Sequence, residues 1–106
     1  MVVSGVSPSD VFRKHMAKLS DALGTSTNFN RAVDEFFSEE LIPLPLVDDV
    51  RSTNISAYDK GSKVALELYK QIQSSERPGD VLTVICDVLT RQEDPRIRKI
   101  GQSMRC

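Results

Sequence analysis

The chain has 106 residues, 40% hydrophobic and 27% charged, with a formal net charge of −1, values ordinary for one folded domain with a modest core. That balance supplies no global basic field for nucleic acid, and no apolar run approaches the ~20 residues that cross a bilayer. Two cysteines, Cys86 and Cys106, make no disulfide framework, and "MVVSGVSPSD" lacks the basic and apolar regions of a secretory signal. A reducing, cytoplasmic setting is expected; "NIS" at 54–56 is then a chance match to a glycosylation pattern.

Residues 1–8 are expected to form an N-terminal extension that ends in a helix start. Ser7 stands at the N-cap, Pro8 at the first helical position and Asp10 three residues on, which resembles a capping box. Phe12, Met16, Leu19 and Leu23 then share one helical face, and Gly24 is expected to end the helix. "TSTN" is a turn. A second helix carries Phe29, Val33, Phe36 and Phe37 inward, with Arg31, Asp34, Glu35 and Ser38 outward, and stops near Leu41 because Pro43 cannot continue it.

"EELIPLPLVDDV", residues 39 to 50, breaks its apolar run with two prolines and fences it with Glu39, Glu40, Asp48 and Asp49. Each proline lacks an N–H and drives the residue before it toward extended geometry. Pro45 suits the first turn of a short third helix, with Leu46, Val47 and Val50 inward. Ser56 and Asp59 form another box-like cap for a fourth helix, whose apolar face is Val64, Ala65, Leu68, Tyr69 and Ile72.

The fifth helix is expected to start around Asp80, with Val81, Leu82, Ile85, Cys86, Val88 and Leu89 giving it an apolar surface on most sides. Val, Ile and Thr in "VLTVICDVL" would also suit a strand, but no second strand exists to pair with it. Asp94 caps a sixth helix at Pro95, lined by Ile97, Ile100 and Met104. Six helices joined by short connections make an all-α bundle. Phe12, Leu19, Phe36, Leu68, Ile85 and Leu89 are its expected core.

The order and spacing of "AVDEFFSEELI", "VDDVRS", "DKGSKVALELYKQI", "RPGDVLTVICDVL" and "DPRIRKIGQSM" resemble a caspase recruitment domain, from about Ser9 to Met104. The junction Pro43-Leu44-Pro45 departs from the family, which usually places a small polar cap there, and the fifth helix lacks an aromatic that many members have. The resemblance implies a six-helix antiparallel Greek-key bundle, a death fold, over 9–104. Residues 105–106 are read as the C-terminal end, an expected cut before further sequence. It also implies a homotypic interaction module that recruits or assembles apoptotic or innate-immune signalling partners, by head-to-tail helical oligomerisation. Death, death-effector and pyrin domains of the same superfamily stay open as alternatives.

Catalytic chemistry is not expected. His15 is the one histidine, on the polar flank of the first helix, and a Cys86–His15 dyad would need a thiol from the most apolar helix. No metal-ligand spacing and no Gly-rich phosphate loop occur, so neither metal nor cofactor is expected.

Charge is the remaining signal. Between Phe29 and Val50 six carboxylates, Asp34, Glu35, Glu39, Glu40, Asp48 and Asp49, stand against Arg31 alone. Arg13, Lys14 and Lys18 line the first helix, and Lys60, Lys63 and Lys70 form a stripe on the fourth, interrupted by Glu67. The resemblance places helices one and four side by side, opposite helices two and three, so a basic and an acidic face are expected as partner-binding surfaces. Such faces make a heterologous, propagating contact with another domain of the same kind. Arg96, Arg98, Lys99 and Arg105 form a further basic patch, which suits a helix C-terminus better than it suits phosphate. With the lysines of helix four it would serve a helical nucleic-acid-binding domain, the less favoured alternative.

Overall fold

The computed structural model describes residues 7–52 and 54–105. Most of the N-terminal extension, as well as Cys106, lies outside the described residues. Six helices follow in order: α1 Pro8–Gly24, α2 Phe29–Ser38, α3 Leu44–Val50, α4 Ala57–Ser74, α5 Pro78–Thr90 and α6 Pro95–Arg105. The protein is an all-α bundle, with no strand among the described residues.

The predicted caps form. Ser7 Oγ accepts from the Asp10 amide and Ser56 Oγ from the Asp59 amide, both at 3.2 Å, and Asp94 Oδ1 accepts from the Arg96 amide at 2.9 Å. α5 begins two residues earlier than expected because Pro78, with its fixed φ, serves as a first helical residue. The same logic starts α3 at Leu44: Pro43 is extended (φ −82°, ψ 157°) and Pro45 falls in the first turn, where a missing N–H costs nothing. The carbonyl of Pro43 accepts from Leu46 and Val47.

One core runs through the bundle and includes all of Phe12, Leu19, Phe36, Leu68, Ile85 and Leu89, each 0% exposed. α5 touches α1, α2, α4 and α6, which places its apolar circumference at the centre, as a helix. α1 packs most extensively on α4, with the rings of Phe12 and Tyr69 stacked at 6.5 Å. A β-carbon on Gly61 would lie 1.9 Å from the Ser20 carbonyl oxygen, and one on Gly24 would lie 1.9 Å from that of Ala57. The two helices therefore cross backbone to backbone. Gly24 ends α1, as expected, and also serves this approach; the residue after it, Thr25, closes the helix in right-handed geometry (φ −95°).

Phe37 corrects the expected core: it is 41% exposed. Phe29, Val33 and Phe36 follow helical spacing and take the inward face, which leaves Phe37 a further ~100° round, outside it. α2 also stops at Ser38, three residues before Leu41. Glu40 turns left-handed (φ 62°), its amide bonds the Phe37 carbonyl and the Leu41 amide bonds that of Phe36, each at 3.0 Å. This is a Schellman closure, with Leu41 and Phe36 as its buried apolar pair. A glutamate occupies the position where glycine is preferred.

Candidate interaction surface

Two of the three helix-four lysines face helices two and three. Lys60 Nζ lies 6.0 Å from the centroid of the Phe29 ring of α2, and Lys63 Nζ bonds Asp49 Oδ2 of α3 at 2.8 Å. That carboxylate, through its hydrogen bond and its charge, raises the Lys63 pKa. The expected opposition of the two pairs of helices is thus corrected, because α3 packs directly on α4 and residues of both predicted faces meet in the seam. Lys70 is exposed further along α4.

The acidic set is also partly spent inside the chain. Asp34 pairs with Arg51, one residue beyond the segment whose charges the sequence reading counted. Glu35, expected outward, is half-buried and accepts from the Gln92 amide, and Glu39 lies 3.8 Å from Arg91. Gln92 is itself buried and also donates to the Val88 carbonyl at 2.9 Å. Glu40 and Asp48 remain exposed, and among the described residues neither has a cation within 4.0 Å.

Glu40 stands at a corner with an apolar face. Phe37 and Leu44, 41% and 55% exposed, flank the turn. A groove of about 690 Å³ runs from Phe37, Glu40, Ile42 and Pro43 to Glu67 and Gln71 of α4. The prolines make this possible: they keep α2 and α3 from joining into one continuous helix, so the apolar run splits between the core (Leu41, Ile42, Val47) and the surface (Leu44).

The free cations gather elsewhere. Arg13 of α1 bonds Asp10 at 3.0 Å, but Lys14 and Lys18, one turn apart, have no carboxylate within 4.0 Å among the described residues. Lys18 borders a groove of about 370 Å³ between α1 and α6. Ala22 and Ile100 form its apolar floor, and Arg96, Lys99, His15 and Asp21 stand round it. Lys99 and Arg98 are likewise unpaired among the described residues, whereas Arg96 reaches Asp94 at 3.2 Å and Thr25 at 3.0 Å. The Arg96 hydrogen bonds hold the Asp94 carboxyl below its usual range, and Asp94 with Asp21 raises Arg96 in turn. Sequence reading treated this patch as a helix-dipole complement. The missing signal was its pairing in space with Lys18, 81 positions away from Lys99.

Other chemistry is sparse. Cys86 is 1% exposed, and burial pushes its thiol pKa up, which disfavours the thiolate. His15 Nδ1 lies 2.9 Å from the Val11 carbonyl oxygen of its own helix. Arg105, assigned above to the C-terminal basic patch, pairs with Asp87 of α5. No helix among the described residues is long and apolar enough to cross a membrane.

The structure thus defines a class, an all-α bundle with two chemically opposite surface features. Comparison with family models, with curated proteins and with solved structures finds no match.

Proposed function

We propose that this domain is a homotypic protein–protein interaction module of the caspase-recruitment type, a non-enzymatic adaptor that assembles or recruits signalling partners in the cytoplasm. The proposal includes the Greek-key death fold, which the number, order and lengths of the helices suit. The observation that carries it is the sorting of charge left over after internal pairing. Among the described residues of α1 and α6 the unpaired cations Lys14, Lys18, Arg98 and Lys99 outnumber the one unpaired carboxylate, Asp21, while at the α2–α3 corner the unpaired charges, Glu40 and Asp48, are both acidic and accompany exposed Phe37 and Leu44. Surfaces of opposite sign on one molecule favour head-to-tail assembly with rapid, salt-sensitive association.

Light scattering against protein concentration tests the reading. The average mass is expected to rise with concentration and to fall as salt screens the contact. A mass that depends on neither overturns it.

A further inference from the structure

The basic groove between α1 and α6 shares Lys18 with the predicted α1–α4 face but draws its other cations, Arg96 and Lys99, from α6. Three facts converge. First, two lysines of the α4 stripe are engaged within the chain, Lys63 by Asp49 and Lys60 by the Phe29 ring. Second, the α1–α6 groove combines an apolar floor, Ala22 and Ile100, with a rim that carries free Lys18 and Lys99. Third, the α2–α3 corner carries the opposite charge: Phe37 and the free carboxylate Glu40 line one groove with Ile42, Pro43 and Glu67, and Leu44, the residue after Pro43, is exposed.

Glu40 has a further peculiarity. Among the described residues it alone, apart from the glycines, has positive φ, in a geometry that costs an L side chain energy and glycine almost none. Its backbone is held by the two Schellman hydrogen bonds, so the Cα from which the side chain extends is fixed. An outlier of this kind is a starting point for a functional hypothesis.

We infer that the α1–α6 groove receives the α2–α3 corner of a second copy of this chain. Phe37 and Leu44 lie against the Ala22–Ile100 floor, and Glu40 meets Lys18 and Lys99. The groove and the corner share no residue, so each copy offers both and the contact is heterologous: it repeats head to tail without closing a dimer. Asp21 on the groove rim opposes an incoming carboxylate at one side, which directs Glu40 toward the lysines. The inference rests on the homotypic reading above and sharpens it to one pair of surfaces.

Sedimentation of the parent and of three variants tests it. Glu40→Gly removes the carboxylate while relaxing the backbone, so it should fold at least as stably as the parent yet associate about tenfold or more weakly, as expected for loss of a central contact. Lys99→Glu should weaken association similarly with an unchanged helical signal. Glu40→Lys mixed with Lys99→Glu should regain association that neither shows alone, because a cationic corner then faces a reversed groove. If the parent associates and these variants match it, the groove–corner pairing is wrong while the homotypic reading stands. If the parent is monomeric throughout, both fall. Should a short DNA duplex bind the monomeric parent and be released by Lys99→Glu, the groove is a nucleic-acid site and the inference is overturned.

Discussion

The α1–α4 crossing and the α2–α3 corner put apolar and backbone groups to opposite uses. At the crossing, glycines let two helix backbones touch, and the flanking Leu19, Leu23, Val64, Ala65 and Leu68 are buried. At the corner, Phe37 and Leu44 are left in water and a glutamate holds a glycine's conformation. Close packing makes the first region intolerant of added atoms. The second is a surface whose own fold would be served as well or better by other residues. Stability is therefore concentrated at the crossing, whereas the proposed contact lies at the corner, and substitutions in the two regions should separate these properties.

The largest expected effect is in the core beside the crossing. Leu68→Ala should cost about 2–5 kcal/mol, through lost burial and a cavity among side chains that cannot collapse fully. A thermal midpoint equal to the parent's would remove α4 from the role assigned to it. Gly61→Ala tests the crossing itself. Its new methyl would meet the Ser20 carbonyl oxygen at 1.9 Å, so α1 and α4 must separate, at a cost of about 3 kcal/mol, the upper part of the range for overpacked sites. Chemical denaturation should show the loss, and an unchanged midpoint would mean that the helices cross less closely than described.

Smaller and opposite in sign is Glu40→Gly. Relief of left-handed geometry is worth about 1–2 kcal/mol, offset in part by the greater freedom of glycine in the unfolded chain. A net gain of about 0.5–1 kcal/mol is expected from the same denaturation curves. A loss of stability would show that Glu40 supports the fold, and would end the contrast between the two regions.

The smallest effect is a pH dependence at the start of α6. Asp94 has its folded pKa lowered, first by the Arg96 side chain and then by backbone amides. Its contribution is therefore present above the unfolded-state value, near 3.9, and is lost as pH falls through the lower folded value. Acid titration of the thermal midpoint should show less decline for Asp94→Asn than for the parent as pH falls from the unfolded-state value through the lower folded one.

Much of the fold was legible in the sequence because it depends on local chemistry. Ser7, Ser56 and Asp94 cap their helices through hydrogen bonds within three residues, and apolar spacing alone selects Phe12, Leu19, Leu68 and Leu89 for the core. Tertiary structure decided what adjacent residues cannot. Phe36 and Phe37 differ only in direction from the helix axis, and the positions of α5, α3 and α1 against α2 determine which of them is covered. Gly61, unremarkable in the sequence, becomes a contact point once Ser20 of another helix lies against it. The charges changed most. The family resemblance implied opposing faces for Lys63 and Asp49, whereas packing of α3 on α4 brings them to 2.8 Å. Separately, α6 packs beside α1, so Lys18 and Lys99 share a groove. Net charge and helical face are properties of a segment, but whether a charge is free depends on which segments touch. Coulomb attraction acts through space, not along the chain.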